Sequence, residues 1–184
     1  NKTTKQAVAL PGQSSLGDPN PKFNMSFINN LQYKGIFTFN MQWDWVYGNN
    51  LYNQTKQWMY RDGIHSDYDQ PITINGETQA YTAFYRSIYA GGAANGTKNY
   101  FYEDASFWRL RNLSFGVDIA KLTKIKFTNR LQLVVSGRNL LTFTPYTGMD
   151  PEVNYATNSA FDRGLDHNTI PNTKAYTIGL NLGF

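Results

Sequence analysis

Hydrophobic and polar positions alternate through GIFTFNMQWDWVYG. Phe37, Phe39, Met41, Trp43, Trp45 and Tyr47 fall at one parity, and Thr38, Asn40, Gln42 and Asp44 at the other, with Val46 the single breach. Successive side chains of a strand point to opposite faces, so the stretch predicts a strand with one apolar and one polar face. AYTIGLNLGF repeats the pattern, with Tyr176, Ile178, Leu180, Leu182 and Phe184 set against Ala175, Thr177, Gly179, Asn181 and Gly183. Three weaker segments join these two. RLQLVVSGRNLLTF puts Leu131, Leu133, Val135, Leu141 and Phe143 on one face and Gln132, Ser136 and Arg138 on the other. In FWRLRNLSFGVDI, Leu113, Phe115, Val117 and Ile119 oppose Asn112, Ser114, Gly116 and Asp118. Its first half carries Arg109 and Arg111 at the apolar parity, so either a bulge shifts the phase or that half stands above a bilayer. KFNMSFIN is the shortest, with Phe23, Met25 and Phe27 opposite Asn24 and Ser26.

Short and long connections alternate between these five strands. INNLQYK reads as a tight turn, and AKLTKIKFTN as a short link with one helical turn. Gly48 to Ala105 and Thr144 to Asn172 are long and rich in Gly, Asn, Asp and Tyr. Loops of such length are uncommon in compact domains and usually functional. Outer-membrane barrels combine short periplasmic turns with long external loops. With Phe184 at the periplasmic side, the external ends carry Phe23, Trp45, Tyr47, Phe107, Trp108, Phe143, Tyr146 and Tyr176, and the periplasmic ends carry Tyr33, Phe127 and Phe184. Two aromatic girdles are what a barrel wall shows, because amphipathic rings settle at headgroup depth. A soluble β-sandwich also alternates and also has loops at two ends, so the pattern leaves both architectures open.

Composition narrows the function. Charged residues make up 16% and aromatics also 16% of the 184 residues, a balance that favours strands over an ordinary soluble surface. The net charge of +4 is modest and Lys and Arg read as scattered, which leaves no footprint for nucleic acid. There is no cysteine, and His65 and His167 lie far apart, so no metal, cofactor or catalytic constellation can be assembled. No window approaches 18 consecutive apolar residues, so no transmembrane helix is predicted, although a spanning strand would escape such a scan.

EDASFWRLRNLSFG, SGRNLLTFTPYTGMDPEVN and RGLDHNTIPNTKAYTIGLNLGF, in this order, resemble the C-terminal part of SusC/RagA-type TonB-dependent outer-membrane transporters. LGDPNPKFNMSFINNLQYKGIFTF is similar to the preceding hairpin of that family. The resemblance runs from about Leu16 onward and weakens between Gly63 and Ala94. It implies that residues 1–184 are an all-β segment, the last antiparallel strands (about five) of a large transmembrane barrel, 22-stranded in the family, with long extracellular loops. The plug domain, the TonB-contacting segment and the N-terminal strands would lie upstream. It further implies that Tyr176, Ile178, Leu180, Leu182 and Phe184 form a barrel-assembly signal.

The implied activity is TonB-dependent import of an oligomeric nutrient, glycan or peptide, across the outer membrane, with a SusD-like surface lipoprotein as partner and no chemistry on the substrate. A siderophore-type receptor or an outer-membrane enzyme barrel is the second reading, and a soluble sugar-binding or adhesin domain the third. Asn40, Gln42, Asp44, Arg138 and Asn181 would face the lumen. The large loop supplies candidate contacts to substrate or partner in Trp58, Tyr60, Tyr68, Tyr81, Tyr85 and Tyr89, since aromatic rings stack on sugar faces and anchor interfaces. The same rings would equally pack a core for the loop itself, which must bury something to stay ordered. YNQTKQWMYRD reads as a short helix. Asp62, Asp67 and Asp69 lack the regular spacing of a calcium loop and read as solvated, while Asp150, Glu152 and Asp166 read as loop-folding residues in Asx-type turns.

Overall fold

A computed structural model describes residues 1–8, 12, 15–80, 82–94, 98–155 and 163–184. In chain order the first elements are β1 (Phe23–Tyr33), β2 (Phe37–Tyr47), β3 (Asn50–Asn53), α1 (Gln54–Asp62), β4 (Ile72–Ile74) and β5 (Glu77–Gln79). There follow α2 (Thr82–Ala94), β6 (Tyr102–Asp104), β7 (Phe107–Asp118), α3 (Ile119–Thr123), β8 (Arg130–Phe143), β9 (Leu165–Asp166) and β10 (Ala175–Gly183). The chain divides into a strand unit (Pro21–Gly48, Ser106–Pro145, Pro171–Phe184) and a loop unit (Asn1–Asn20, Asn49–Ala105, Tyr146–Ile170).

In the strand unit, β1, β2, β7, β8 and β10 form one antiparallel sheet in that order. The register lines up the parities read from the sequence. Tyr33, Phe37, Val117, Leu133 and Leu180 make one row across all five strands, and Leu31, Phe39, Phe115, Val135 and Ile178 make the next. On the opposite face run Asn30, Asn40, Ser114, Ser136 and Thr177. The apolar rows stay largely uncovered, with Leu31 61% and Ile178 76% exposed. Among the described residues of the strand unit no second sheet is present to cover them, as a sandwich would require. Strands of 9 to 14 residues with one greasy face are the wall of a barrel, a closed sheet in which lipid covers what a sandwich would bury.

The arginines of β7 are accommodated by a bulge. Gln42 pairs with Asn112 and Trp43 with Leu110, which leaves Arg111 as the extra residue. On the other side of β7, Leu110 pairs with Leu141 and Asn112 with Arg138, and Asn139 sits there at φ 53°. Asparagine tolerates this left-handed conformation better than most side chains. The phase shift puts Trp108 and Leu110 in register with the apolar row, and Arg109 opposite Asp44 on the polar side. Arg111 donates from Nε to Asp44 Oδ2 at 2.7 Å and from Nη1 to Asn139 Oδ1 at 3.2 Å. Without the bulge both arginines would continue the apolar parity of Leu113 and Phe115, where a charge costs about 2–4 kcal/mol at mid-bilayer depth.

One expectation is corrected. INNLQYK is not a turn, because Ile28 to Tyr33 continue β1 and the reversal occupies Lys34 to Ile36. Lys34 and Gly35 take φ 51° and 64°, and the Ile36 N–H donates to the Tyr33 carbonyl. The turn propensity of Asn29 and Asn30 is outweighed by a full ladder to β2, in which Leu31 meets Phe39 and Tyr33 meets Phe37. The other short link holds the expected helical turn: Asp118 caps α3 by accepting from the Lys121 N–H at 3.2 Å, and Lys124 ends it at φ 57°.

The loop unit is built differently. A three-stranded sheet, β6-β3-β9, and the hairpin β4-β5 accompany α1 and α2. The hairpin turns on Asn75 and Gly76, both at positive φ, the dipeptide that a type I′ turn favours. This unit holds two buried apolar clusters. One is Tyr60, Tyr68, Tyr85, Ile88 and Phe101, and the other Leu51, Ala105, Tyr146 and Val153.

Candidate functional site

Helix α1 organises the loop unit. Asn53 accepts from the Lys56 N–H at 2.8 Å as N-cap. At the other end Gly63 takes φ 69°, the Gly63 N–H donates to the Tyr60 carbonyl, and the Ile64 N–H to the Met59 carbonyl. That double bond pattern is a Schellman stop, and glycine supplies the left-handed residue it needs. With both ends fixed, Gln57 and Tyr60 turn inward, while Trp58 and Arg61 share another side with the guanidinium 5.4 Å from the indole.

Tyr60 is fully buried and is the hub of the interior. Its ring meets Phe101 at 5.3 Å, Tyr68 and Tyr85 at 5.8 Å, all near-perpendicular, and His65 at 5.0 Å. Edge-to-face pairs add stabilisation beyond area burial. The Tyr60 hydroxyl donates to the Asp67 carboxylate and lies 3.0 Å from the Tyr100 hydroxyl, while Tyr68 donates to the Tyr60 carbonyl at 2.6 Å. Burial, reinforced by Asp67 and Tyr100, pushes the Tyr60 pKa far up, so the group stays a protonated donor. Burial lowers the pKa of His65 against the opposing pull of Asp67, and its Nδ1 accepts from the Asp67 N–H at 3.1 Å.

A second polar node joins segments more than a hundred residues apart. Tyr146 donates to Asp166 Oδ2 at 2.6 Å, and Thr55 donates to Asp166 Oδ1 at 2.9 Å. Burial and then Asp166 raise the Tyr146 pKa well beyond its usual range. Asp166 is therefore a long-range acceptor rather than an Asx turn, whereas Asp150 does accept from the Glu152 N–H at 2.9 Å. Tyr146 belongs to this interior and not to a girdle. Asp62 pairs with Arg61, and Asp67 is taken by Tyr60, so these carboxylates serve the loop itself. Among the described residues no group of three or more potential metal ligands converges.

These contacts sort the candidate residues. Tyr60, Tyr68 and Tyr85 are interior packing, so their rings are not offered to a ligand, a correction to their reading as contacts. Tyr89 packs partly buried against the same cluster, and Tyr81 lies outside the described residues. Trp58 alone joins an accessible aromatic group. Its ring meets His167 edge-on at 4.5 Å, and Tyr155 stacks on His167 at 4.5 Å and 30°. Tyr155 is 56% exposed, and Arg61, itself paired with Asp62, borders the indole. The chain brings Trp58 to Tyr155 and His167 across about a hundred residues, which no local motif announces. In the sheet, Asn40, Gln42, Arg138 and Asn181 share the polar face with Asp44, which accepts from Ser26 at 2.8 Å and Gln42 at 2.9 Å.

Comparison with known proteins gives the arrangement a context. No family model matches the chain. TonB-dependent receptor P3 of Formosa agariphila is 35% identical over 96% of this chain, and TonB-dependent receptor P39 of the same organism is 29% identical over 96%. The chain spans 18% and 17% of those two relatives. Among solved structures, the RagAB peptide importer in its open-open state matches all of this chain and 21% of its own, with a TM-score of 0.66 at 20% identity. Its closed-closed state matches 91% of this chain and 18% of its own, with a TM-score of 0.61 at 18% identity. Along nearly its whole length the chain is thus similar in sequence to TonB-dependent receptors, and it has the fold of a stretch of the RagAB barrel transporter.

Proposed function

We propose that the chain forms the C-terminal wall of an outer-membrane, TonB-dependent importer of an oligomeric nutrient, with the plug and the preceding strands supplied by the rest of the polypeptide. One observation carries this reading: five antiparallel strands present a continuous apolar face that no second layer covers. In this reading Asn40, Gln42, Asp44, Arg138 and Asn181 line the lumen, where polar groups meet water or the plug. The loop unit consists of segments inserted at the same ends of the strands, and those ends face outward, toward a SusD-like lipoprotein and the incoming substrate. The alternate residues Tyr176, Ile178, Leu180, Leu182 and Phe184 serve as the assembly signal, so removing Phe184 lowers the amount reaching the membrane while inserted molecules stay folded.

Within the loop unit the Trp58, His167 and Tyr155 group is the proposed contact for a glycan or peptide. Its flat, half-exposed rings suit the apolar face of a sugar or a planar peptide side chain. The test is binding of oligosaccharide and oligopeptide pools by the intact transporter with its lipoprotein. Trp58→Ala weakens the preferred pool at least about fivefold, as truncating a contact hot spot does. Unchanged binding of both pools removes the group from the substrate path.

A further inference from the structure

We infer that the short-connection end of the strand unit binds anionic phospholipid headgroups, an inference that rests on the wall reading above. Two segments meet there. The Asp118 N–H donates to the Ile36 carbonyl at 2.8 Å, and Lys121 Nζ donates to the Gly35 carbonyl at 3.2 Å, so the Lys34 turn lies beside α3. Beyond α3, the Asn129 N–H donates to the Gly183 carbonyl at 2.9 Å, which brings Arg130 beside the end of β10. The fold thereby adds Lys34 to the run of basic residues from Lys121 to Arg130. This end holds Lys34, Lys121, Lys124, Lys126 and Arg130, five of the seventeen basic side chains, against one acidic side chain, Asp118, in the same segments. That carboxylate is already engaged, capping α3 and lying 3.5 Å from Lys121. The cations themselves are exposed.

Two further features select a membrane surface over a dissolved anion. Leu122 is 51% and Phe127 76% exposed among the lysines, an apolar exposure that a site for a free phosphate has no use for. The patch also continues directly from the apolar rows: Tyr33 is 61% exposed at the end of its row and carries Lys34 Nζ 5.3 Å from its ring. Lysines bordering aromatic rings at the edge of an apolar band are the arrangement in which long stems lie in the headgroup layer and ammonium groups meet phosphates. Each basic residue near an anionic surface strengthens association about fivefold.

The experiment uses the intact transporter purified in detergent and titrated with phosphatidylglycerol or phosphatidylcholine of the same chain length, with retained lipid counted by native mass spectrometry. Wild type retains phosphatidylglycerol at least about tenfold more strongly. K34Q/K124Q/K126Q brings the two lipids within about twofold, whereas K34R/K124R/K126R keeps the preference and shows that charge rather than a folding defect is read. Equal retention of both lipids by wild type overturns the inference while the barrel stands. Displacement of phosphatidylglycerol by millimolar inorganic phosphate also overturns it, because the site would then be one for a free anion. Failure of wild type to retain any lipid or to show a heat-modifiable gel band overturns the wall reading together with it.

Discussion

The two units are stabilised by opposite means. The strand unit keeps its large apolar side chains on the outside, with Phe143 61% and Leu180 57% exposed, and holds its shape through the hydrogen-bonded ladders of β1, β2, β7, β8 and β10. The loop unit does the reverse. It buries Tyr60, Phe101 and Ile88 and ties its segments together with side-chain hydrogen bonds such as Tyr146 to Asp166 and Thr55 to Asp166. A sheet in lipid needs every backbone group paired but no interior of its own, whereas a long loop in water must make an interior or lose order. The same residue type therefore has two roles in one chain. Tyr176 is 76% exposed on β10, and Tyr60 is fully enclosed.

The largest expected effect separates the units. Tyr60→Ala removes a fully buried ring with five aromatic neighbours and should destabilise the loop unit by about 3–5 kcal/mol, the usual cost of truncating a buried large ring. Hydrogen exchange of the intact transporter should show faster exchange over α1 and its neighbours, with the amides of β2, β7 and β8 unchanged. Spread of the effect into the strands would mean that the two units fold as one.

Leu180→Arg addresses the other side. A charge on the lipid face costs about 2–4 kcal/mol at mid-depth, whereas Asn181→Arg, one residue on and on the polar face, should change stability by less than about 0.5 kcal/mol. Denaturant unfolding in lipid vesicles reads both. Equal costs at the two positions would erase the distinction between the faces.

How far each unit could be read from the sequence follows from the same contrast. A strand writes its two faces into every second residue, so β2 and β10 were legible from Phe37 to Tyr47 and from Tyr176 to Leu182. The bulge at Arg111 was visible only as a breach of parity, and its outcome depended on the partner strand that supplies Asp44. The length of β1 was hidden because Asn29 and Asn30 favour turns locally, and only the ladder to β2 decides. In the loop unit α1 was legible, and the Asn75-Gly76 hairpin carried a strong local signal that alternation alone did not weigh. The Trp58, His167 and Tyr155 group was not legible, since the contacts join residues about a hundred positions apart. The basic run from Lys121 to Arg130 stands in the sequence, but its joining by the Lys34 turn was not legible, since that contact spans 86 residues.

A smaller effect compares one helix cap from each unit. Asn53→Ala in α1 and Asp118→Ala in α3 should each cost about 1 kcal/mol, the ordinary value of a side-chain N-cap. Local exchange should rise in α1 for the first and in α3 for the second. Global loss of the barrel from Asp118→Ala would show that the short link does more than close a turn.

The smallest effect is pH dependence confined to the loop unit. His65 is held below its usual pKa by burial, so the folded state resists a proton that the unfolded chain accepts. The stabilisation from neutral His65 is complete above the unfolded value near 6.5 and declines as pH falls through it, levelling off below the folded value. Protonation also removes Nδ1 as the acceptor for the Asp67 N–H. Protection factors around residues 64–70, which take out the slower intrinsic exchange in acid, should fall on acidification, and His65→Gln should flatten that response. An unaltered profile in the variant would place the acid sensitivity elsewhere.

The central claim is that the alternation of the strand unit is an alternation between lipid and lumen. Spin labels placed singly along β10 of the intact transporter in bilayers, from Thr177 to Leu182, test it directly through collisions with oxygen and with a water-soluble nickel chelate. The account predicts high oxygen exposure at Ile178, Leu180 and Leu182 and low values at Thr177, Gly179 and Asn181, a period of two running the length of the strand. Uniform exposure, or oxygen maxima at Thr177, Gly179 and Asn181, would contradict it.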